Sequence, residues 1–575
     1  ADNWQDTSGN PCVPGAGDTA IIPGTVELDG TRSIDELQLT GSLTINENVV
    51  LSIGLLIIDN GSLGGDGDVE IENDAPFING SISVSITVGS GVNFDCRAEM
   101  EIAAGSTFEN DGTLLTNAYG GCRIRMGADA RLINKGTIGT NVIIVTLGNA
   151  PWPVVENRSS GTMRVGDCDA VIENSGLIEV TSGQTDFGAG GTAGGTFTVM
   201  EGATLKFEES FGSTPFDFTG VTIQGGGRVI FEDFAGPRVL TDGTYDLDPT
   251  TGTTTIIDAE VTFPASMTFG GLGTELQMFV GDTAVDQTAT VEHDLSLGTL
   301  LMQGTLSGSG AVTVSDTFSV SGTFDNRTVT INGTSGFSSS EIRLTGGTTV
   351  TNTVDLIVNS IVMGDGTTWT NDATLPIDPG GIRTTGTITT PPTLTNNGLV
   401  NIDFGVMPLE VDFVNNGELR IRGDITATGA FTNAASGTVS GTGRLDWSGA
   451  ESIVNDGTFA PGRPDFPYAR LEVVGDVALN ANTTLEIEGT AGFGNVDELE
   501  ADGAVTLDGT LDLTLDDAPL GSYEIVTLYV GSSGSITGTF NQVNEPSGYT
   551  TILTYNSDNV TLDITGTPYP LLAAS

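Results

Sequence analysis

One pattern, apolar-x-Asn-x-Gly-x-apolar, recurs along this chain and constrains its fold more than any other feature. It stands as F-E-N-D-G-T-L at 108–114, L-I-N-K-G-T-I at 132–138, I-E-N-S-G-L-I at 172–178 and L-T-N-N-G-L-V at 394–400. It returns as V-N-N-G-E-L at 414–419 and I-V-N-D-G-T-F at 453–459. Asn110, Asn134, Asn157 and Asn174 are separated by 24, 23 and 17 residues; Asn371, Asn396, Asn415, Asn433 and Asn455 by 25, 19, 18 and 22. A period near 20 with a few residues of slack marks a solenoid whose coils bury one another. Between the marks, T-F-T-V-M-E-G-A-T-L-K-F (196–207) and T-L-D-L-T-L (510–515) alternate apolar and polar residues, the period of a strand. No apolar stripe at helical spacing runs for three turns. The predicted fold is therefore all-β, a parallel β-solenoid forming a single elongated rod.

The motif reads as a corner. Asn and Gly are the residues that most readily take positive φ, and stacked coils set equivalent Asn side chains close enough for an amide ladder. Asn110, Asn134, Asn174, Asn396, Asn415 and Asn455 are the expected corner residues. G-S-L-G-G-D-G-D-V-E-I (61–71) and G-T-L-S-G-S-G-A-V-T-V (304–314) read as further corners, each a strand, a Gly-x-Gly turn and a strand. Residues 180–390 keep the strand pattern but lose the regular Asn marks, so wider or looped coils are expected there. P-W-P-V-V (151–155) reads as a loop leaving the rod, carrying Trp152. The expected organisation is a cap at 1–24, parallel β-helix at 25–460, further coils at 461–565 and an apolar tail at 566–575. At ~22 residues per coil and ~4.8 Å per step, the rod would be about 110–120 Å long.

The G-T-L-S-G-S-G-A-V-T-V and F-x-N-x-G-T-L units resemble the passenger domains of bacterial autotransporters and related large adhesins. The stretches N-D-G-T-F-A-P-G (455–462), L-E-V-V-G-D-V-A-L-N-A-N-T-T-L-E-I-E (471–488) and D-E-L-E-A-D-G-A-V-T-L-D-G-T-L-D-L-T-L (497–515) resemble the last coils of such a passenger. W-Q-D-T-S-G-N-P-C-V-P-G-A-G-D-T-A-I-I-P (4–23) resembles the lead into a first coil. The resemblance implies a right-handed parallel β-helix and an exported, extracellular or cell-surface context. The chain opens A-D-N-W, which suits a mature start after a small-residue cleavage site. The membrane barrel that follows a standard passenger is not expected, because the sequence reads T-P-Y-P-L-L-A-A-S at 567–575.

Charge narrows the partners. There are 74 Asp and Glu against 19 Lys and Arg, a net of −55. Such a polyanion repels phosphate backbones and anionic membrane surfaces, so neither nucleic acid nor membrane insertion is expected. No run of 18 apolar residues exists to span a bilayer as a helix. Asp66 and Asp68, in Gly-Asp-Gly-Asp-Val, are the candidates for Ca²⁺, although the tandem nonapeptide calcium repeat is not matched. No other cofactor is expected.

Cys96 and Cys122 are 26 residues apart, near one coil, and each is followed by Arg. Equivalent positions on adjacent coils would fall within disulfide reach, so a Cys96–Cys122 bridge is predicted, against the alternative of two buried free thiols. Cys12 and Cys168 lie several coils apart and stay unassigned between free thiols and intermolecular pairing. His293, the sole histidine, sits in V-E-H-D-L; strand alternation would place it opposite its acidic neighbours, so it reads as a surface histidine without a catalytic role. No nucleophile elbow, phosphate loop or zinc-protease motif occurs. Sequons stand at Asn60, Asn79, Asn157, Asn326, Asn332, Asn482 and Asn559.

These readings give a secreted, non-enzymatic structural protein that self-assembles head to tail into an extracellular filament or adhesive surface layer. The tail residues Tyr569, Leu571 and Leu572 are expected to dock on a neighbouring copy. The alternatives are a monomeric adhesin passenger that meets a host or matrix surface, and a β-helix polysaccharide lyase or hydrolase. The last needs a groove that sets carboxylates beside an arginine.

Overall fold

Strands alone build the described part of the chain, because nearly every four-residue segment alternates one inward apolar side chain with one outward polar one. In the computed structural model the described residues are 13–116, 121–147, 151–209, 214–279, 287–333, 341–462, 470–490, 496–516 and 518–566. No helix occurs among them, and parallel coils stack into a β-solenoid of about 21 turns. The chain divides into two compact units, Ala1–Leu297 and Gly298–Ser575.

The second unit shows the coil plainly. Thr393–Asn396, Leu399–Ile402 and Val406–Leu409 form three sides of one turn. They pair in parallel with Asp412–Asn415, Glu418–Ile421 and Asp424–Ala427 of the next. The register places like on like: Leu394 on Phe413, Val400 on Leu419, Asn396 on Asn415. Such rows form a core in which Leu394, Val400, Leu419 and Ile425 are at most 1% exposed.

The first unit uses the same device. Thr19–Ile22 pairs in parallel with Glu36–Leu39, so stacking begins inside the segment read as a cap. Val154–Asn157, expected in part to leave the rod, is a strand stacked on Arg131–Asn134. Where the Asn marks stop after Asn174, aromatic rings take over the core. Phe187 lies on Phe207 and Phe207 on Phe231, with ring centroids 6.0 and 5.8 Å apart, and Tyr245 lies on Phe269 at 6.5 Å. Each such ring pair contributes about 0.5–1.5 kcal/mol beyond its buried area.

Candidate functional site

The corner asparagines form two buried ladders. In the first unit, Asn110 Nδ2 donates to Asn134 Oδ1 at 2.9 Å, Asn134 to Asn157 at 2.8 Å and Asn157 to Asn174 at 2.8 Å. In the second, Asn352, Asn371, Asn396, Asn415, Asn433 and Asn455 are joined by steps of 2.8 to 3.0 Å. The second amide hydrogen of most members reaches a main-chain carbonyl one coil on, as from Asn396 to Glu418 at 2.9 Å. The ladder agrees with the sequence reading; the backbone explanation does not. Positive φ among the described non-glycine residues belongs to Asn48, Asn60, Asn326 and four aspartates, and none of the ladder residues is among them. Each ladder Asn closes a regular strand with its side chain turned inward. The motif glycine is required by close approach instead: a Cβ on Gly136 would sit 2.0 Å from the Gly112 carbonyl oxygen, and one on Gly417 2.1 Å from that of Gly398. Asn157, a formal sequon, is fully buried in its ladder.

The ladder ends differ. Asn352 Oδ1 accepts from Trp369 Nε1 at 2.7 Å, and at the far end Asn455 Nδ2 reaches Thr483 Oγ1 at 3.4 Å. In the first unit Val88 stacks beneath Asn110, and Asn110 Oδ1 and Asn174 Nδ2 are buried without a hydrogen-bond partner.

Cys96 and Cys122 are joined in a disulfide with Cα atoms 5.5 Å apart. They are not equivalent positions, contrary to the reasoning from spacing. Cys96 is in register with Thr116, whereas Arg123 faces Glu99, which sets Cys122 over Ala98. The bridge therefore runs diagonally across the bend at Arg97 and Ala98. Beside it lies a cavity of about 440 Å³ lined by Arg97, Glu99 and Arg123. Cys168 is a buried free thiol pushed up to about 12 by burial. Cys12 and the tail residues Tyr569, Leu571 and Leu572 lie outside the described residues.

Asp66 and Asp68 are exposed, flanking buried Gly67. Among the described residues no group of three or more His, Cys, Asp or Glu is placed to hold a metal ion. His293 is at a bend rather than in a strand, so alternation does not set its direction. It is half-buried, stacked on Phe269 at 4.6 Å, with Nε2 2.8 Å from the Pro264 carbonyl oxygen.

One surface groove does set carboxylates beside an arginine. A cavity of about 240 Å³ is lined by Glu418, Arg420, Ser440, Gly462, Glu486 and Glu488, among others. Arg420 holds Glu418 through two hydrogen bonds, at 2.8 and 3.0 Å, and Ser440 Oγ donates to Glu418 at 2.8 Å. Burial first, then Asp512 and Glu488, raises the Glu486 carboxyl above its ordinary range. Sequence reasoning missed this groove because its members come from four successive coils.

The first and last described strands turn backbone groups toward a side where no strand pairs among the described residues. Asp18 and Ile22 accept from Glu36 and from Thr40 and Gly41, while Gly24 and Leu28 accept from Ser42 and Asn46. Parallel strands alternate their bonding side, so Thr19, Ile21, Thr25 and Glu27 turn their N–H and C=O groups the other way, where no strand pairs among the described residues. At the far end Gly521–Leu528 is followed by antiparallel Asn559–Ile564, and that strand by Thr551–Tyr555. The hairpin turn also covers Ile536, whose N–H donates to the Ser557 carbonyl at 2.9 Å. No family model matches the chain, and no curated protein matches it.

Proposed function

We propose that this chain is an exported, non-enzymatic structural protein whose copies assemble head to tail into an extracellular filament or surface layer, with exposed coil faces available for adhesion. The reading resembles that of adhesin passengers, and the observation that carries it is the outward backbone of Thr19–Ile22 and Thr25–Leu28, which meets no strand among the described residues. An open edge is a template for another strand, and solenoids that stay single cover theirs. A contact between two different surfaces that does not close on itself makes fibres. With a net charge of −55, copies repel one another until salt screens them. Light scattering and electron microscopy of the purified chain test this directly. Large assemblies are expected to grow with protein concentration and ionic strength; a particle that stays monomeric throughout both series overturns the proposal.

A second reading, a polysaccharide-cleaving enzyme, has one observation in its favour: the groove that joins Glu486 and Glu488 to Arg420. A carboxyl with a raised pKa suits a general acid, and glycoside hydrolysis uses two carboxyl groups. Cleavage of neutral or acidic glycans that disappears in Glu486→Gln would favour it over the structural role.

A further inference from the structure

Resting on the assembly reading above, we propose that the joint between copies is made by two particular edges: Thr551–Tyr555 of one copy pairs with Thr19–Ile22 of the next. Hydrogen bonds fix which way the first edge points. Thr565 N–H donates to the Thr550 carbonyl at 2.8 Å, and Asn556 N–H donates to the Asn559 carbonyl at 2.9 Å. Even-numbered residues therefore face inward, and Thr551, Leu553 and Tyr555 hold their N–H and C=O groups outward. On the other edge Thr19 and Ile21 do the same.

Chemistry selects a second copy as the occupant. No Lys or Arg follows Arg470, so the end of the chain carries acids without compensation. Yet T-I-L-T-Y contains no charge, and neither does T-A-I-I. Edge strands that must stay single are usually blunted by charge or proline, and these two are not. Both also present a large apolar residue to solvent: Ile21 is 62% exposed and Ile552 55%. The two strands are of similar length, four and five residues, so one can satisfy the other's backbone. A pairing of unlike edges cannot close by two-fold symmetry and leaves one of each free at every step, as a growing filament requires.

The test uses the 575-residue chain in a Cys12→Ser background, with Cys168 buried. Ile21→Cys and Ile552→Cys are made separately and oxidised alone and mixed. In a parallel pairing an outward-bonded residue stands opposite an inward-bonded one, so Ile21 and Ile552 face each other within disulfide reach. The expected result is a cross-linked dimer in the mixture and little in either variant alone. Equally strong cross-linking of Ile552→Cys by itself would mean that the hairpins pair with each other, and overturns the proposal. In parallel, Ile21→Pro removes one outward N–H from an exposed position, and Thr551→Pro does so at the start of its strand; each should reduce assemblies to monomers. Ile21→Glu, which keeps the backbone, is the second variant if proline perturbs folding, as judged by circular dichroism. Wild-type assemblies that persist in all these variants overturn this joint but leave the filament reading standing. A wild-type chain that never assembles overturns both.

Discussion

An asparagine inside a ladder has no substitute, because its amide is donor and acceptor at once and its neighbours above and below need one of each. Asn134→Ala would strand Asn110 Nδ2 on one side and Asn157 Oδ1 on the other. At about 1–3 kcal/mol for each buried orphan, we expect a loss of about 2–6 kcal/mol, read as a fall in urea midpoint. Trp369→Phe is the subtler case. It keeps most of the ring but removes the N–H that caps Asn352, so a loss of about 1–3 kcal/mol is expected despite the small change in shape. If Trp369→Phe is neutral, the cap has no energetic role. The Asn marks were legible in the sequence as spacing and as a ladder. Their dihedral angles were not, because a side chain that must point inward from a strand end and one that tolerates positive φ call for the same letter.

At the scale of the element, the corner is the unit that matters. Strands of three to five residues cannot hold a register alone; each is fixed by the coil beneath it. The Cys96–Cys122 bridge ties two such coils across a bend, closing a separation of 26 residues. By the loop-closure account a link of that span stabilises by about 3 kcal/mol, so Cys96→Ser with Cys122→Ser should lower the melting temperature, and reductant should do the same to the wild type alone. A reductant-insensitive wild type would show that the bend is held by other contacts. Spacing sufficed to pair these cysteines, although the argument assumed equivalent sites. The bend at Arg97 and Ala98 brings the diagonal within reach, and no period in the sequence displays a bend. Residues 180–390 lose the regular Asn marks, and the sequence predicts wider or looped coils there. In the structure phenyl and phenol rings in register fill the coils from Phe187 to Phe269, and the amide ladder resumes at Asn352.

For the whole molecule, charge governs response to conditions. Burial raises the Asp167, Asp169, Asp233, Glu486 and Glu500 carboxyls, with neighbouring acids adding to it, even though Arg470 opposes the shift at Glu500. A carboxyl raised in the folded state binds its proton more tightly there than in the unfolded chain. Its contribution is present at low pH and is lost as pH rises through the folded value, a window above the ordinary 3.8 of Asp and 4.5 of Glu. The exposed Asp74, Asp248 and Asp365 run the other way, held low chiefly by hydrogen bonds from Asn93, Thr250, and Thr390 with Thr389. The expected outcome is a higher melting temperature at about pH 5 than at about pH 7 by calorimetry, since protonation also relieves part of the net repulsion. Asp167→Asn and Glu486→Gln should narrow the difference. A melting temperature that falls steadily from neutrality would contradict this account.

The sequence by itself determined the architecture. A period-two pattern inside a period near 20 can bury its apolar face only by stacking coil on coil, and the recurring Asn and Gly say where each coil turns. Tertiary structure alone decided which edges face no strand among the described residues, which ladder ends are capped, which diagonal the disulfide takes, and that Glu418, Arg420, Glu486 and Glu488 share one groove. Those outcomes depend on residues one or more coils apart meeting in space. Their positions follow from small register shifts and bends that leave the one-dimensional pattern unchanged.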